Sequence, residues 1–169
     1  EYLKEKYNKP GNVFCGVTHR LDRPTTGVLV FAKTSKALSR LNEMFRNDKV
    51  EKSYWAIVKN QPPKVEDKLV HWLIKNEKNN KSTAFDKEMP GAKKAVMHYK
   101  IIGSSENYFL LEVNLETGRH HQIRTQLSKI GCPIKGDLKY GANRSNPDGS
   151  ISLHARTISF IHPVSKIKI

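Results

Sequence analysis

The chain has 169 residues, with 30 Lys+Arg against 16 Asp+Glu and a formal net charge of +14. That length suits one domain with a sizeable core, and 37% hydrophobic with 27% charged residues excludes a disordered or fibrous chain. No stretch approaches the roughly 18–20 apolar residues of a membrane span, no start resembles a signal peptide, and Cys15 and Cys132 fit neither a zinc pattern nor a disulfide framework.

In chain order, Gly27 to Lys33 is a short apolar run after a polar turn and reads as a buried strand. Thr34 or Ser35 then caps a helix with Ala37, Leu38, Leu41, Met44 and Phe45 at helical spacing. Lys52 to Lys59 carries aromatic and β-branched residues on both faces, the pattern of a central strand, and Gln61-Pro62-Pro63 breaks it. Glu66 to Glu88 is polar around the apolar patch Leu69 to Ile74 and reads as a hairpin or excursion. Ala95 to Ile102 and Tyr108 to Leu115 form two strands joined by Gly103 to Asn107. His120 to Ile130 is a helix with Ile123, Leu127 and Ile130 on one side, ended by Gly131. Pro133 to Ser150 is loop-rich, and Ile151 to Ile161 is strand-like. The order predicts an α+β fold with a mixed, mostly antiparallel sheet flanked by helices.

Positive charge is spread over both halves of the chain, which implies a basic surface on a folded body and favours a polyanionic partner. A Lys-rich but merely solvated surface is the plain alternative. Two clusters could carry chemistry. In His19-Arg20-Leu21-Asp22-Arg23-Pro24-Thr25-Thr26-Gly27, flanking arginines would keep the Asp22 carboxylate ionised, although the same residues could form an ordinary turn. In Glu116 to Arg124, Gly118 permits a close turn before a helix start that attracts anions, and His121 and Arg124 share a helical face. Adjacent His120 and His121 are expected to point apart, which argues against a metal pair. Tyr54, Gly136-Asp137 and Leu153-His154-Ala155 are uninformative alone, a strand tyrosine being more often core than site.

Taken in order, HRLDRPTTG at 19–27, KSYWA at 52–56, GRHHQIR at 118–124, GDLKYG at 136–141 and LHA at 153–155 resemble the RluA-type family of RNA pseudouridine synthases. Each motif is weak; five in order cover nearly the whole chain. The resemblance implies the pseudouridine synthase catalytic fold and an isomerase acting on structured ribosomal or transfer RNA. Asp22 matches the essential aspartate, Tyr54 the tyrosine stacking on the target base, and Arg124 the basic residue paired with the aspartate. Arg20 matches the arginine that fills the space left by the flipped nucleotide. Arg23, Arg119 and His121 join it as RNA contacts, with Leu153 as an apolar pocket wall. Three routes are open to Asp22: attack on the sugar, addition to the base, or removal of a ribose proton. Tyr54 is a positional candidate for taking the proton from carbon 5.

No metal or organic cofactor is expected, nor a membrane or an obligate protein partner; the expected state is a cytoplasmic monomer. Residues 1–169 are expected to form a single catalytic domain. Thr26 stands where the family more often has Ser, and Asn8-Lys9-Pro10-Gly11 lies too close to Asp22 to be the family's upstream Asn-Lys-Pro segment. With Glu1 in place of Met and an early end after LHA, the chain is expected to be a fragment truncated at both ends. The rival functions are a non-catalytic RNA-binding module and a phosphodiester-cleaving enzyme built on His120-His121.

Overall fold

The computed structural model describes residues 1–169. Its elements are α1 (Tyr2–Lys6), β1 (Gly16–Val17), β2 (Thr26–Gly27), β3 (Phe31–Ala32), α2 (Ser35–Arg46), β4 (Glu51–Val58), β5 (Glu66–Asn76), β6 (Lys81–Phe85), β7 (Lys93–Ser104), β8 (Phe109–Leu115), α3 (Gln122–Lys129), a 3₁₀ turn (Leu138–Tyr140) and β9 (Leu153–Ser159). Seven strands form one sheet in the order β2-β9-β4-β8-β7-β5-β6. Strands β4 to β8 pair antiparallel, whereas β2 runs parallel to β9. The expected α+β class, with its mixed and mostly antiparallel sheet, is the fold observed. No helix is long and apolar enough to cross a membrane.

The chain divides into two compact units, Glu1–Arg20 with Leu29–Val50 and Ser159–Ile169, and Leu21–Val28 with Glu51–Ile158. In the first, β1 pairs with β3 and α2 lies against both. Thr34 caps α2, its Oγ1 accepting the Ala37 N–H at 3.1 Å, which satisfies one of the helix's free amide donors. The His19 ring stacks on Phe45 at 4.7 Å and accepts the Val30 N–H at 3.2 Å, so this histidine belongs to the framework.

In the second unit the central strand expected at Lys52 to Lys59 is β4, flanked by β9 and β8. Ala56 and Val58 are fully buried with Met97, Leu111, Val113 and Leu127 in the main core. Strands β5 and β6 form the expected hairpin, and β7 with β8 another, carrying an irregularity between Ile101 and Gly103. Helix α3 contributes Ile123 and Leu127 to the core and stops before Gly131, which adopts the left-handed φ of +78°.

One expected element is corrected. Gly27 to Lys33 is not a single buried strand. Gly27 pairs with Ala155 in the second unit, while Phe31 and Ala32 pair with Val17 and Gly16 in the first. Val28, Leu29 and Phe31 are 41%, 39% and 48% exposed. An unbroken apolar run carries no periodicity that names its partner, and this one changes partner midway, leaving ladders too short to cover its side chains.

Gly27 is required where it stands. Its φ is +133°, and a Cβ there would lie 2.4 Å from the Ala155 carbonyl oxygen and 2.5 Å from the Ala155 nitrogen. Both neighbours are backbone, so nothing flexible can yield. Gly27→Ala is expected to cost about 2–4 kcal/mol, strain and overpacking together, in urea unfolding. Ala155→Gly added to it should not restore stability, because the clashing backbone atoms remain; full rescue would contradict this account.

Candidate active site

Asp22 opens a four-residue turn in which the Thr25 N–H donates to the Asp22 carbonyl at 2.8 Å. The chain then joins β9. Ile151 N–H donates to Pro24 O at 2.9 Å and Val28 N–H to Ala155 O at 3.0 Å. Thr26 Oγ1 and His154 Nδ1 lie 2.9 Å apart. The Leu-His-Ala text is thereby explained residue by residue. Leu153 packs into the core at 5% exposure, His154 ties β9 to β2, and Ala155 is small enough for Gly27 to approach.

Arg124 reaches Asp22 from α3. Its Nη1 donates to Asp22 Oδ2 at 3.0 Å. The other edge of the guanidinium grips Asp137, Nε to Oδ2 at 2.7 Å and Nη2 to Oδ1 at 2.8 Å. Arg124 is 5% exposed and Asp137 1%. Burial works against the Arg124 charge, but Asp137 and then Asp22 outweigh it and hold the group above its ordinary pKa. The planar fork suits this double duty, because two N–H groups match one carboxylate while a third remains for the next. Tyr140 lies beside it, with the guanidinium 5.0 Å from the ring centre. The sequence reading left Asp137 without a role, a lone Gly-Asp pair giving no clue to its partner. The flanking Gly136 and Gly141 both adopt positive φ, which makes the tight loop that presents Asp137.

His121 stands on the other side of Asp22, with Nε2 3.5 Å from Oδ2. It, not Gly118, is the left-handed residue at the helix start, with φ of 51°. This conformation overturns the expectation that His120 and His121 point apart: their rings stack with centres 3.8 Å apart. Behind them, His120 Nδ1 lies 2.8 Å from Ser82 Oγ and His121 Nδ1 2.9 Å from Tyr140 Oη. Tyr140 Oη also accepts the Ser82 N–H at 2.8 Å. Burial drives the His121 pKa down to about 4, so the ring is neutral near pH 7. No group of three or more His, Cys, Asp or Glu side chains is arranged to hold a metal ion.

Tyr54 lies on β4 opposite Val113 and packs partly buried against the core. Burial, and secondarily the Asp22 charge, push its phenol pKa up, so it stays protonated near neutral pH. The remaining candidates scatter. Arg20 is exposed in the first unit, and Arg23 is exposed in the second without an ion pair. The charge that meets Asp22 is that of Arg124. Arg119 donates Nε to Lys94 O at 2.9 Å, and the His121 side chain is only 6% exposed.

A concavity of about 630 Å³ opens over the loop after α3, lined among others by Lys59, Asn60, Tyr108, Lys135, Arg144 and Asn146. None of its lining residues is acidic. Lys59, Lys135 and Arg144 enter no ion pair, and Lys135 Nζ lies 5.3 Å from the Tyr108 ring centre. The loop therefore faces two ways, with Asp137 and Tyr140 inward and Lys135 and Arg144 on the groove.

The family model for RNA pseudouridylate synthase matches residues 1–129. Ribosomal large subunit pseudouridine synthase D of Zymomonas mobilis is 35% identical, the match covering 89% of this chain and 49% of that protein. tRNA pseudouridine synthase C of Vibrio parahaemolyticus is 34% identical over 86% of this chain and 65% of its own length. The chain thus spans about half to two-thirds of the length of these curated relatives. Among solved structures, human RNA pseudouridylate synthase domain containing 4 superposes with a TM-score of 0.75 at 26% identity, covering 91% of this chain and 69% of that one. Human RNA pseudouridylate synthase domain containing 1 gives 0.78 at 21% identity over 97% and 70%, which speaks to the fold.

Proposed function

The chain belongs to the RNA pseudouridylate synthase family, and on that footing we propose that the protein isomerises uridines in structured ribosomal or transfer RNA to pseudouridine. Residues 1–169 act in it as a single catalytic domain. The reading places the protein in the cytoplasm as a monomer that needs no cofactor or obligate protein partner.

The reaction breaks the bond from uracil N1 to the ribose, turns the base, and rejoins it through carbon 5. The carbon 5 proton is released and N1 gains one, so atoms balance without an oxidant or a metal. A single carboxylate beside the sugar and base is the group such chemistry needs. The observation that carries the proposal is Asp22 held by Arg124 at 3.0 Å, with Tyr54 close enough for the Asp22 charge to raise its pKa. Tyr54 serves as the stacking surface for the extruded base. Its raised pKa keeps the phenol protonated near neutral pH, so Tyr54 could take the carbon 5 proton only after losing its own. Extruding a nucleotide costs a few kcal/mol, which stacking and phosphate contacts offset. Exposed Arg20 and Arg23 supply such contacts, and Arg119 is a third candidate for them, with Leu153 backing the pocket from the core. The acid-free groove at Lys59, Lys135 and Arg144 offers a path for the flanking strand.

The test is tritium release from RNA labelled at carbon 5 of uracil, using full-length protein and RNA from a strain lacking the gene. Release supports the proposal. Tight RNA binding without release would favour a binding module, and strand scission a nuclease. Tyr54→Ala is expected to weaken productive RNA binding by about 1–3 kcal/mol, while Tyr54→Phe, which keeps the ring, stays near wild type. Equal losses in both variants, measured as KM on one RNA, would assign the effect to the hydroxyl instead of the stack.

A further inference from the structure

Both groups that reach Asp22 converge on one of its oxygens. Arg124 Nη1 is 3.0 Å from Oδ2, and His121 Nε2 is 3.5 Å from the same atom, while Oδ1 makes no hydrogen bond within the chain. The hydrogen position on His121 follows from the groups behind it. The Ser82 N–H donates to Tyr140 Oη at 2.8 Å, so that oxygen is already an acceptor. A phenol has one proton to give, and His121 Nδ1, 2.9 Å away, is the acceptor in range. An Nδ1 that accepts carries no hydrogen. The neutral ring then bears its single proton on Nε2, the nitrogen 3.5 Å from Asp22 Oδ2.

The ring is held in place from several sides. His121 tolerates a left-handed φ of 51°, and its face is covered by His120, itself fixed by Ser82 and by Asn80 Oδ1 at 3.1 Å from Nε2. A strained backbone persists where the surroundings overdetermine it, and such strain concentrates at functional sites.

We propose that His121 is a positioning residue for Asp22: set by Tyr140 as the Nε2–H tautomer, it joins Arg124 in holding Oδ2 and leaves Oδ1 as the oxygen that reacts. The part concerning reactivity rests on the pseudouridine synthase reading; the proton assignment does not. The groups facing the ring are Asp22 from the turn before β2, Arg124 from α3, His120 on its face, and Lys139 and Tyr140 from the 3₁₀ turn. Burial, Arg124, His120 and Lys139 all disfavour a charged imidazole, and Asp22 alone favours it. A neutral donor orients the carboxylate without adding a second cation beside it. At 3.5 Å the Nε2 contact is long for a hydrogen bond, as catalytic contacts often are without substrate, and the proposal requires it to tighten in the complex.

The direct test is a long-range proton–nitrogen correlation spectrum of His121 in nitrogen-15-labelled full-length protein, recorded from pH 8 down to pH 5. The expected pattern is a protonated Nε2 and a bare Nδ1 throughout. An Nδ1–H ring, or titration at the ordinary histidine value near 6.5, would overturn the proposal. In Tyr140→Phe the ring should acquire an Nδ1–H population. The same variant should lower kcat about 10-fold, the worth of one orienting hydrogen bond, with KM held within about two-fold. A kcat equal to wild type in a variant whose tautomer has changed would remove the positioning role. If wild type shows the Nε2–H state but releases no tritium, the proton assignment stands and the synthase reading fails. Tyr140→Phe also strips the Ser82 N–H of its acceptor and can lower the melting temperature, but the wild-type spectrum needs no variant.

Discussion

Asp22→Asn is expected to abolish tritium release, by roughly 10⁴-fold or more, while leaving RNA affinity and melting temperature near wild type. The asymmetry follows from where the side chain sits. Asp22 is 31% exposed, and it is the second of two carboxylates on Arg124. An asparagine keeps its outline and presents an oxygen to Nη1. Asp137 continues to neutralise the guanidinium from its other edge, so no buried charge is stranded. Stability should therefore move by less than about 1 kcal/mol. The measurement pairs the release assay with thermal unfolding of the same preparation. Release within tenfold of wild type would remove Asp22 from the chemistry, and a large fall in melting temperature would make it a structural residue.

Asp137→Ala should do the reverse in rank, with stability lost first and activity with it. Asp137 is 1% exposed and makes both bonds of the fork with Arg124, itself 5% exposed. Deleting one partner of a buried pair leaves the other charge desolvated and poorly met, a loss of about 3–5 kcal/mol. Asp22 remains on Nη1 and keeps the loss toward the lower figure. For a chain of this size about 3 kcal/mol corresponds to a melting temperature about 6–12 °C lower. Differential scanning calorimetry of the full-length variant checks it. A shift under about 2 °C would mean that the fork contributes little to the fold.

What was readable beforehand divides along physical lines. Helix α2 announced itself through a capping threonine and Ala37, Leu38, Leu41, Met44 and Phe45 at helical spacing, all local information. The β5–β6 and β7–β8 hairpins were equally local, each with its turn inside the segment. The motif order was enough to single out Asp22, Tyr54 and Arg124 as candidates. Asp137 was not legible as a partner, because it lies 13 residues beyond Arg124 in an irregular loop where no period relates the two. The His120–His121 stack was misread because a left-handed residue within a helix start leaves no mark in side-chain spacing. Gly27 to Lys33 was misread for a related reason: apolar character reports burial tendency and is silent on a change of strand partner.

The contacts that build the site are long in sequence. Arg124 meets Asp22 across 102 residues, and Thr26 meets His154 across 128, whereas β5 to β8 are joined through neighbouring hairpins. Closing a long loop costs entropy before any contact is made, so distant pairs form after near ones. Refolding is therefore expected to bring the hairpin strands together before Asp22 is placed. The β2–β9 pairing that locates it is expected to complete late, so that a nascent chain that has not yet emitted β9 would hold every proposed catalytic residue without a working arrangement of them.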